Sequence, residues 1–138
     1  MPYIENSTGR REELIETLEP INQGELNFLL YYQALDFVER MGINYHILDD
    51  VVTAYEGVMQ QLYSSHRRGY AYPDYAPLNS QDLHGVMYHI VFNYMSRSGA
   101  PAPIGTVRLS QAEFIREVVS PYEDKKKQEN GEVRLKFK

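Results

Sequence analysis

Apolar residues along this chain recur three and four apart far more often than they alternate, which predicts helices over most of its length. The clearest run lies between Asn44 and about Ser65, where Ile47, Leu48, Val51, Val52, Tyr55, Val58, Met59 and Leu62 follow the helical rhythm. A second spans about 23 to 41: Leu26, Leu30 and Phe37 share a stripe, while Tyr31 and Tyr32 widen it, so this helix should be covered on more than one side. Asn22 is placed to cap it, Glu25 sits at the reciprocal third position, and Gly42 suits its end. A third runs from Ser80 to about Ser98 before Gly99, with Leu83, Val86, Met87, Ile90, Val91 and Tyr94 on its apolar face.

Shorter elements flank these. A first helix is expected from about Gly9 to Leu18, stopped by Pro20. After the loop "GAPAPIGT", the letters "SQAE" at 110–113 read as a capping box that opens a helix running to Val119. "VRL" at 107–109 and the stretch 133–137 are the extended candidates. The last segment, "SPYEDKKKQENG", has Ser120 as cap, Pro121 at the first helical position, a Glu123 to Lys127 ion pair, and Asn130-Gly131 as a left-handed stop. A pair of helices kinked at Ser120-Pro121 is therefore expected. The fold class is all-α: one domain over 1–138 with five or six helices, a loop at 66–79, and a charged helix and tail at 121–138.

Composition adds limits. A hydrophobic content of 43% with 24% charged residues over 138 residues is ordinary for a folded domain that buries a real core. The absence of cysteine removes disulfides and thiolate chemistry, and fits a reducing compartment. No apolar run reaches the ~18 residues of a membrane span, and the first residues lack the apolar core of a secretory signal. The net charge of −5 is uneven: residues 1–115 hold 7 arginines, no lysine and 14 acids (−7), and residues 116–138 hold 2 arginines, 5 lysines and 5 acids (+2). An acidic body disfavours duplex DNA, whose binding rests on neutralising several phosphates at once. No membrane contact and no cofactor is expected.

Candidate chemistry is sparse. The histidines at 46, 66, 84 and 89 lack metal spacing, since His84 and His89 are five apart rather than four. The carboxylates Asp36, Glu39, Asp49, Asp50 and Glu56 offer an incomplete version of the paired acids with which all-α nucleotide pyrophosphatases hold magnesium. Acids early in a helix are favoured there anyway. No nucleophile elbow or Gly-rich phosphate loop occurs, so no catalytic residue is assigned.

The most unusual stretch is "HRRGYAYPDYAP" at 66–77. Arg67 and Arg68 could fork onto phosphate oxygens, and Tyr70, Tyr72 or Tyr75 could stack on a base. Three readings stay open for it: nucleotide contact, a protein or self interface, and packing of tyrosines onto the core. Arg116, Lys125 and Lys126 are secondary phosphate candidates.

The elements "MPYI", "GELNFL", "LDDVVTAYEGV" and "FIREVVSPYEDKKKQENGEV" resemble a family of small phage and prophage proteins that close with a Pro-Tyr-Glu-Asp-Lys-Lys…Glu-Asn-Gly segment. About half of the chain carries the likeness, and the region 66–105 looks additional. The resemblance implies a phage accessory protein in the infected bacterial cytoplasm, and transfers no site residue. The expectation is a non-enzymatic, self-associating binding protein that sequesters a small phosphate-bearing signal as an anti-defence factor. A virion or host-protein-binding role, and a magnesium-dependent nucleotide hydrolase, are the alternatives.

Overall fold

A computed structural model of the chain describes residues 4–5, 8–64, 72–131 and 133. Among the described residues six α-helices follow one another: α1 Arg10–Thr17, α2 Gln23–Met41, α3 Tyr45–Tyr63, α4 Ser80–Ser98, α5 Ile104–Phe114 and α6 Ser120–Asn130. A π turn, Ile115–Val119, joins α5 to α6, so the last two helices form one continuous rod. Among the described residues there is no strand, and the fold is all-α.

The three long helices start where polar caps allow them to start. Asn22, Asn44 and Asn79 each accept a backbone N–H three residues on, from Glu25, Ile47 and Asp82, at 2.8, 3.0 and 2.8 Å. Gly99 ends α4 in the left-handed region, where a side chain would be strained. Helix α1 ends earlier than Pro20 requires. Leu18 itself turns left-handed, with its N–H on the Leu14 carbonyl at 2.8 Å, and the Asn93 side chain of α4 donates to the Leu18 carbonyl at 3.2 Å.

Glu25 departs from the reciprocal capping role. Its carboxylate takes a bidentate fork from Arg10 at 2.6 and 2.7 Å, plus the Ile21 N–H at 3.0 Å, and so ties α1 to α2. The Arg10 hydrogen bonds, followed by that of Ile21, hold the Glu25 carboxyl below the usual carboxylate range against the opposing effect of burial.

The core is shared by α2, α3, α4 and α5, and includes Leu29, Leu30, Phe37, Tyr55, Leu62, Met87, Ile90, Val107 and Phe114. Helix α5 runs antiparallel to α3, with Arg108 donating to the Tyr63 hydroxyl at 2.8 Å and Gln111 donating to Glu56 at 2.9 Å. Beside the second of those contacts the buried hydroxyls of Tyr55 and Ser110 share a hydrogen bond of 2.7 Å. Burial pushes the Tyr55 phenol well above its usual range.

Several expectations fail in this second half of the chain. Residues 107–109 are helical, and "SQAE" opens nothing: Ser110 and Glu113 are buried in α5. The buried stripe of α5 is Thr106, Val107, Ser110, Glu113 and Phe114, and its polar members hide the helical rhythm. The break at Ser120-Pro121 is absent. Ser120 is helical and caps nothing, and its N–H reaches the Ile115 carbonyl five residues back. Proline lacks an N–H and its ring collides with the carbonyl four residues back in an ordinary helix. The looser π spacing just before Pro121 lets the rod continue. On α6 the ion pair that forms is Lys126–Glu129, 3.3 Å, and not Glu123–Lys127. Gly131 has the expected positive φ, but its ψ of 148° is extended rather than left-handed. Val133 forms no strand, and 134–137 lie outside the described residues.

Candidate functional site: the C-terminal helix and its flanking clefts

The sharp α2–α3 turn, Gly42 to Asn44, leaves Ile43 without a core position, and it is half exposed. Opposite it the π turn ends and α6 leaves the body. No residue of α6 is buried. What holds the helix near the body is an aromatic contact: Tyr122 meets Tyr45 edge to face, with centroids 5.1 Å apart and planes at 84°. The Lys126 ammonium lies 5.5 Å from the Tyr122 ring centre and is held above its usual range by its hydrogen bond to Glu129.

Two clefts flank this helix. The first, about 560 Å³, has a mainly apolar floor of Ile43, Val118, Pro121 and Tyr122, with Lys125 and Lys126 on its lip. Glu117 also lines it, 3.7 Å from the Arg116 guanidinium. The second, about 540 Å³, lies along Tyr45, Glu123, Lys126, Lys127 and Val133. Lys125 is exposed and has no ion pair among the described residues. An apolar floor with ammonium groups at the rim can seat a body of low polarity and hold its anionic end.

The residues picked from sequence are divided by the fold. Arg67, Arg68 and Tyr70 lie outside the described residues. Tyr72 packs on His89 of α4, with ring centres 4.1 Å apart, and Tyr75 is exposed. Neither lines either cleft. Arg116 is turned to Glu113 at 2.6 Å. Lys125 and Lys126 are the two that meet in one cleft.

Three of the five acids considered for magnesium have separate partners: Asp36 pairs with Arg40 at 2.8 Å, Asp50 with His46 at 3.5 Å, and Glu56 accepts from Gln111. Among the described residues no group of three or more His, Cys, Asp or Glu could hold a metal ion. His66 lies outside the described residues. His84 is half-buried against Gly57 with Gln61 at 2.8 Å, and burial lowers it and His89 below the ordinary imidazole value.

Sequence reasoning missed Ile43, Tyr45, Pro121 and Tyr122 as a group. The available signal was that Ile43 is an apolar residue caught between Gly42 and a helix cap, with no periodic partner.

A family model described as a domain of unknown function (DUF6899) matches residues 1–133. The chain belongs to that family. No curated protein and no solved structure matches it. The family match runs through 66–105, so that region falls inside the extent of the DUF6899 domain rather than standing as an addition to it. Among the described residues, no helix is long and apolar enough to cross a membrane.

Proposed function

We propose that this DUF6899 chain is a non-enzymatic binding protein whose working surface is α6 with the cleft on its Ile43 side. The observation that carries this reading is the pair Lys125 and Lys126 on the lip of an apolar cleft of about 560 Å³, on a helix with no buried residue. Such a cleft is in the size range of small-ligand sites. The ligand that fits is a small phosphate-bearing molecule, with its phosphate on the two ammonium groups and its less polar part over Ile43, Val118 and Pro121. In the phage setting implied by the terminal segment, that ligand is a nucleotide-like host signal, and the protein acts by sequestering it in the infected cytoplasm.

Calorimetric titration with a panel of linear and cyclic nucleotides tests this. Binding that is lost in a Lys125→Glu, Lys126→Glu double variant supports the reading, and an absence of binding below the millimolar range disposes of it. A second reading, docking of a host protein, is favoured by the exposure of Ile43, at 51%. A photo-crosslinking side chain at position 125 should then trap a protein that the same group at Glu16, on α1, does not.

A further inference from the structure

The other side of α6 carries a different pattern. Glu123, Lys126, Lys127 and Asn130 follow one another at i, i+3, i+4 and i+7, which places all four on a single helical stripe. That stripe lines the second cleft, beside Tyr45, which is 54% exposed, and Val133, which is 93% exposed. Neither Glu123 nor Lys127 has an ion-pair partner among the described residues, because the pair within this helix joins Lys126 to Glu129. Helix α6 is carried by the rod that it continues and by the Tyr45–Tyr122 contact, which leaves this stripe open along its length.

We infer that this stripe is the contact between two copies of the chain, paired antiparallel through α6. The order of charges favours this pairing. From 123 to 127 the helix reads acid, acid, lysine, lysine, lysine. Laid antiparallel on itself about Lys125, it sets Glu123 of each copy opposite Lys127 of the other. A two-fold axis repeats every contact, so one self-complementary stripe yields two intermolecular ion pairs from a single sequence. A parallel arrangement would set Glu123 against Glu123 and Lys127 against Lys127. Tyr45 and Val133 would be covered by the approaching copy. A helix of this length spans about 16 Å, well short of a standard interface, so the dimer is weak, concentration-dependent and sensitive to salt. Lys126 lines both clefts, whereas Glu123 and Lys127 line only the second, so the pairing is carried by two residues that the cleft on the Ile43 side does not use.

Sedimentation equilibrium of the full chain over a concentration series, at low and high salt, measures the association. A dimer is expected at high concentration, weakened by salt. Glu123→Lys and Lys127→Glu, each alone, put like charges opposite one another twice. Each should raise the dimer dissociation constant about tenfold. Mixed in equal amounts, the two variants are complementary, since the lysines of one chain face the glutamates of the other. The mixture should associate at least as tightly as the wild type. Helical circular dichroism confirms that each variant is folded. A chain that stays monomeric throughout, a dimer indifferent to both variants, or variants that fail to recover on mixing would each overturn the inference.

Discussion

Helix α2 starts at a working asparagine cap while α6 continues a longer rod, and the two do opposite work. Helix α2 is 19 residues long and nine of them are buried, so its conformation is set by what packs against it. Helix α6 is 11 residues long and none is buried. Its shape depends on its own hydrogen bonds, the rod it continues, and the Tyr45–Tyr122 contact. The body therefore has little freedom to vary, while α6 can change its surface chemistry almost without cost to folding. Function is expected where substitution is cheap for stability and expensive for binding.

The largest effect that separates the two regions is a core truncation. Leu30→Ala, at a fully buried position of α2, should lower unfolding free energy by about 2–5 kcal/mol. Lys125→Ala should stay within about 0.5 kcal/mol of the wild type. Denaturant titration of both proteins reads the contrast directly.

Next comes the fork between α1 and α2. Glu25→Gln removes the charge that Arg10 grips and should cost about 2–3 kcal/mol at neutral pH. Because the folded state holds the Glu25 carboxyl below its ordinary value of 4.5, its contribution is present above that value and lost as pH falls through and below it. Unfolding measured from pH 7 down to 3 should fall less steeply in Glu25→Gln than in the wild type.

A smaller effect tests the α3–α4 contact. A Cβ at position 57 would come within 2.6 Å of the His84 ring. Gly57→Ala should destabilise by about 1–2 kcal/mol, because crowding outweighs the gain in helix propensity. In a His84→Ala background the same change should become neutral or favourable. The smallest effect belongs to α6, where Tyr122→Ala loses one edge-to-face contact and should cost about 0.5–1.5 kcal/mol.

Much of the body was legible because its asparagine caps and apolar rhythm agree. Residues 23–41 and 80–98 fall on helices with those same bounds. Helix α5 was not legible, because Thr106, Ser110 and Glu113 are polar and yet buried, and the partner of Ser110 is Tyr55, some 55 residues away. The π turn was hidden for a related reason: a serine and a proline read as a helix start, and continuation depends on a hydrogen-bond spacing that letters do not show. Lys125 and Lys126 were picked for their charge. Ile43, Tyr45 and Tyr122 were missed, because their importance comes from the α2–α3 turn meeting the base of α6.

The central claim is that α6 is a surface element outside the cooperative body. Amide hydrogen exchange of the full chain, followed at low and high protein concentration, tests it most directly. At low concentration the amides of 126–130 should exchange orders of magnitude faster than those in the middles of α2 and α3, with protection of α6 rising as the chain self-associates. Amides of α6 as protected as those of α2 at the lowest concentration would contradict the account.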